Sequence, residues 1–167
     1  MATTFEPKYG ASAALVTTHL ASIASDTNLL AGWSSAVIDN TSNLSVTEKL
    51  TGKIQTGTTP TVSTNIFVYL WETLDDTPTY PDTISGSEAA ITLTSANVLG
   101  SGAFKLATVI SVDATTGRVY PFSIDVAQFF GFNMPKKWGV WIVHNTVATL
   151  GATQVISRAD PTQYQNV

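Results

Sequence analysis

Two stretches of this chain are apolar at nearly every position rather than at every second one. Residues Trp138 to Asn145 read W-G-V-W-I-V-H-N. In an extended backbone Trp138, Val140, Ile142 and His144 point one way, and Trp141, Val143 and Asn145 the other. Ile66 to Trp71 repeats the pattern, with Ile66, Val68 and Leu70 set against Phe67, Tyr69 and Trp71. One face of such a strand can line its own core. The second must be covered by another sheet, a helix or another protein. Phe67, Tyr69, Trp71, Trp138, Trp141 and Val143 are therefore expected in the core or at a subunit interface.

The rest of the chain reads as shorter strands divided by turns. Ser45 to Thr56 has a wholly polar face (Thr47, Lys49, Thr51, Lys53, Gln55) opposite Val46, Leu50 and Ile54, so one side faces solvent. Phe104 to Val112 alternates with Phe104, Leu106, Thr108, Ile110 and Val112 on one face. D-A-T-T-G at Asp113 to Gly117 connects it to a strand over Arg118 to Ile124. Ser12 to Ser25 opens as a strand, Ala89 to Thr94 is a short one, and Thr153 to Ser157 is the last. Asp75 to Ser87, with two prolines and a glycine, reads as a long surface loop. Asp125 caps a short helix over Val126 to Phe130, stopped by Gly131. Residues 1–10 read as a flexible arm and 157–167 as a polar tail. Seven or eight strands result, an all-β class: one antiparallel β-sandwich domain over residues 1–167, jelly-roll-like, with one short helix.

Composition agrees. Charged residues are 12% of the chain, about half the usual ~25%. Thr and Ser supply 41 of the 167 residues, and Thr favours a pleated surface. With 44% hydrophobic residues the chain is too apolar to be disordered. A net charge of −4 and only eight basic residues argue against a phosphate-binding surface, so no nucleic-acid partner is expected. No window approaches the ~18 apolar residues that span a bilayer, and no membrane partner is expected. The N-terminus lacks the basic-then-apolar order of a secretory leader, which implies synthesis in a cytoplasm. The absence of cysteine removes disulfides and thiolate metal sites.

No constellation for chemistry stands out. Asp75, Asp76 and Asp82 share a loop, but their spacing matches no calcium loop and Asp is a turn former. His144 lies on a strand face with Val140 and Ile142, where a packed imidazole is expected. The other imidazole, His19, has no second ligand at metal spacing. There is no G-x-S-x-G elbow, P-loop or dinucleotide fingerprint. No enzymatic activity, metal or cofactor is expected. Trp71, Trp138, Trp141 and Tyr69 raise two readings: sugar-stacking platforms, or core and interface aromatics.

The stretches L-A-S-I-A-S-D-T, A-G-W-S-S-A-V-I-D-N-T-S-N, T-G-T-T-P-T, Y-L-W-E-T-L-D-D-T-P-T-Y-P-D-T-I-S-G-S and P-K-K-W-G-V-W-I-V-H-N-T resemble small virion structural proteins of tailed phages. They cover roughly Ala21 to Ala148; the short segment after Thr146 departs from the pattern. The resemblance implies a jelly-roll-like capsid cement or decoration protein of the virion. Its implied partners are itself, as a dimer or trimer, and the major capsid protein. The alternative is a tail, fibre or spike component with a carbohydrate-binding role.

Overall fold

Eleven strands form two antiparallel sheets, seen in a computed structural model that describes residues 4–166. One sheet has the order β1 (Phe5–Tyr9), β11 (Val155–Asn166), β5 (Thr47–Gln55), β9 (Val119–Asp125), with the two-residue β2 (Ala13–Ala14) also on β11. The other runs β7 (Ala89–Thr92), β3 (Ala31–Ser34), β10 (Lys137–His144), β6 (Thr64–Glu72), β8 (Phe104–Val112). β4 (Ile38–Asp39) pairs with β10 further along, in the lane β3 began. The sandwich class is as the alternation predicts.

The core between the sheets takes one face of each central strand. Leu50 and Ile54 from β5 and Ile124 from β9 meet Ile66, Val68 and Leu70 from β6 and Trp138, Val140 and Ile142 from β10. Those are the faces the period of two assigns. Phe122 lies directly over Gly52, where a side chain would strike its ring.

Four expectations are corrected. The arm is strand β1, paired residue for residue with β11 from Phe5↔Asn166 to Tyr9↔Thr162. The tail is strand too, all of β11 beyond its first two residues; residues 1–3 and Val167 lie outside the described residues. The short helix is a single 3-10 turn, Ala127–Phe130, closed by Gly131 at φ 69° and by the Phe132 N–H on the Ala127 carbonyl. Four residues are too few for an α-helix to repay its nucleation. Finally, β8 does not keep one face. A bulge at Ala107 puts Leu106 opposite Tyr69 but Thr108 opposite Val68. Phe104 thus joins the outer face of the sheet while Val112 joins the inner core.

Candidate functional site

The six residues singled out by their pattern do not form an open surface. Trp138 belongs to the inter-sheet core, and Tyr69, Trp71, Trp141 and Val143 are buried on the outer face of the same sheet; Phe67 is half-buried at its margin. What covers that second apolar face is the chain itself. Tyr80, Ile84, Leu93, Val98 and Leu99, from the segment between β6 and β8, fold back over it with Leu29 and Val37. Tyr80 meets Trp71 edge-on at 6.0 Å, and Phe104 meets Trp141 in the same way. Glycines make this possible. The Trp71 indole lies over Gly139 and the Trp141 indole over Gly32, each in the space a β-carbon would fill. With no accessible ring face, none of the four tryptophans can stack on a sugar. The Nε1–H groups of Trp71, Trp138 and Trp141 have no hydrogen-bond partner. Only Trp33 has one, donating to Glu88 at 2.6 Å.

Loop carboxylates serve the cover. Asp75 accepts from the Thr79 N–H and hydroxyl, and Asp82 from both donors of Thr94 at 2.7 Å. No group of three or more His, Asp or Glu able to hold a metal ion occurs among the described residues. His144 is packed as its strand position predicts, its Nδ1 2.9 Å from the Thr146 hydroxyl and its Nε2 3.3 Å from the Ile23 carbonyl. Burial pulls its pKa down to about 4. His19 sits at the surface, with Nδ1 2.6 Å from Glu88, whose carboxylate also accepts the His19 backbone N–H. Burial pushes Glu88 up, but the bonds from His19 and Trp33 outweigh it and hold the carboxyl below its usual range. This knot pins the Thr18–Ser22 turn to the start of β7. A fully buried carboxylate, Glu48, occupies the one polar position on the inner face of β5 and accepts from the Nε and Nη2 of Arg158. Burial raises its pKa, and Arg158 offsets only part of that.

Two features remain open to a partner. The first is the ribbon formed by β1 and the end of β11. The ladder between β5 and β11 stops at Thr47↔Thr162, so Gln163–Asn166 pair with β1 alone. One face carries Phe5, Pro7, Tyr9 and Tyr164, with the three aromatics 67%, 73% and 64% exposed. The other carries Glu6, Lys8, Gln163 and Gln165. The Gly10 N–H donates to the Pro161 carbonyl at 2.7 Å. Alternation of the ladder then turns the backbone of Phe5, Pro7 and Tyr9 to the free edge. Pro7 lacks an N–H there, which blocks addition of a further strand. The signal was present in F-E-P-K-Y, whose period is two.

The second is a cleft of about 500 Å³ between the 40–45 turn and the Met134–Lys137 segment leading into β10. Asn40 builds its wall, its side chain bonding both the N–H and the carbonyl of Ser45. Leu44 is held at φ 50° with 69% of its surface exposed. Across the cleft Lys136 binds both oxygens of Asp76, at 2.8 and 2.9 Å, and holds its carboxyl below the usual range. Lys137 lies 3.9 Å from Asp39. No model of a known protein family and no curated protein matches this chain.

Proposed function

We propose that this chain is a non-enzymatic structural subunit of a phage particle, a capsid cement or decoration protein that binds the major capsid protein and its own copies. The observation that carries the reading is the β1–β11 ribbon. A two-stranded ribbon is marginal in water by itself, yet this one presents three open aromatics on one face and a polar opposite face. Such a face gains by docking. At 150–250 Å² per aromatic, two-thirds exposed, it offers roughly 400 Å², about half of what one partner buries in a standard interface. That suits a grip repeated at many equivalent places rather than a lone tight pair. The strand order supports a jelly roll, with β1-β11-β5-β9 facing β3-β10-β6-β8 and β7 as an added edge strand. Capsid domains use that architecture, as do lectins.

Purified chain mixed with phage heads lacking it is expected to co-sediment with them. Phe5→Ser combined with Tyr164→Ser should weaken that binding at least tenfold, ~1.4 kcal/mol. Thermal stability should stay put, because exposed positions rarely change it by more than ~0.5 kcal/mol. A chain that is monomeric by light scattering and never sediments with heads refutes the reading.

A further inference from the structure

We propose that the cleft between the 40–45 turn and Lys136–Lys137 is a binding site for a neutral saccharide. The inference stands apart from the assembly reading, since it rests on a different face of the molecule. A volume of about 500 Å³ falls in the range of small-ligand pockets, ~300–1,000 Å³. Its lining carries two carboxylates, Asp75 and Asp76, and two ammoniums, Lys136 bound to Asp76 and Lys137 3.9 Å from Asp39, so an ionic ligand of either sign meets a like charge beside its partner. A hydroxyl does not. It donates to a carboxylate and accepts from an ammonium at once, and adjacent hydroxyls repeat that match. Ser45, only 3% exposed, is one of the residues lining the cleft, and its buried hydroxyl has no partner in the protein. Leu44 and Met134 supply the apolar surface that the C–H face of a sugar ring requires. Leu44 is moreover held in the left-handed region, costing about 1–2 kcal/mol, to keep an apolar side chain in solvent. The site gives the carbohydrate reading a place that the buried tryptophans cannot.

The test is a titration of the full-length chain, followed by amide chemical shifts, with methyl glycosides of glucose, galactose, mannose and N-acetylglucosamine. Inorganic phosphate and N-acetylneuraminic acid serve as charged probes. At least one neutral glycoside is expected to bind saturably, with shifts gathered at Leu44, Thr73 and Lys136. Asp76→Asn and Leu44→Ser, both at exposed side chains, should each weaken binding about tenfold, ~1.4 kcal/mol, with the melting temperature unchanged. Absence of saturable shifts with all four glycosides overturns the proposal. So does binding by both variants as tight as that of the wild type, or a preference for the charged probes.

Discussion

Acidification gives the sharpest test of the inner core. His144 is neutral in the folded protein because its ring is sealed between the Thr146 hydroxyl and the Ile23 carbonyl, and burial lowers its pKa to about 4 from an ordinary 6.5. The unfolded chain therefore takes up the proton first. Stability from this group is complete above about pH 6.5, falls as pH drops and levels off below about pH 4. At ~1.36 kcal/mol per pH unit the full loss is about 3 kcal/mol, and about 2 kcal/mol is gone by pH 5. That is a large share of the ~5–15 kcal/mol typical of a domain. Carboxylates held below their usual range, such as Asp26 and Asp113, add losses only nearer their ordinary value of 3.8, so they leave this window clear. The assay is urea unfolding at a series of pH values for the wild type and for His144→Gln. Both should carry His19→Gln to remove the other imidazole. Glu48, held above its usual range, acts alike in both proteins, so the wild-type background should lose about 2 kcal/mol more between pH 7 and 5 than the His144 variant. Equal losses in the two would refute the argument.

Three further outcomes follow from packing. Gly139→Ala drives a β-carbon into the Trp71 indole and should cost ~1–3 kcal/mol in urea unfolding, with a shift in tryptophan fluorescence. Arg158→Met strands the Glu48 carboxylate inside the sandwich and should cost ~3–5 kcal/mol at neutral pH. Adding Glu48→Leu should recover most of it, and a Glu48→Leu change that gives no relief would contradict the pairing. Val147 is exposed at φ 72°, strained for a β-branched residue, so Val147→Gly should raise stability by up to about 1 kcal/mol in the same assay.

Alternation made the two central strands legible because a side-chain period of two is fixed by backbone geometry. Ile66, Val68 and Leu70 do separate from Tyr69 and Trp71. It does not say what lies against an apolar face. The cover comes from Tyr80, Ile84, Leu93, Val98 and Leu99, apolar residues spread over a segment of Pro, Thr and Gly with no one period running through it. The β8 bulge was hidden for the opposite reason, since its sequence alternates without a break and only pairing with β6 reveals the slip. β1 and the end of β11 look like arm and tail in the sequence because their partners are more than 150 residues apart in the chain. The cleft was legible only in part: D-N-T-S-N announced a turn, but nothing local announced that Lys136 would face it.

The segment between β6 and β8 also constrains how this sequence can drift. A long stretch rich in Pro, Thr and Gly would ordinarily be free to lengthen, shorten or change, as surface loops are. Here Tyr80, Ile84, Leu93, Val98 and Leu99 roof the cluster that holds Trp71 and Trp141, so a deletion or a proteolytic nick would uncover two tryptophans at once. Among descendants of this chain, changes in length are expected to collect in the Gly57–Ser63 and Asp113–Gly117 connections, while the segment that looks most loop-like keeps its length.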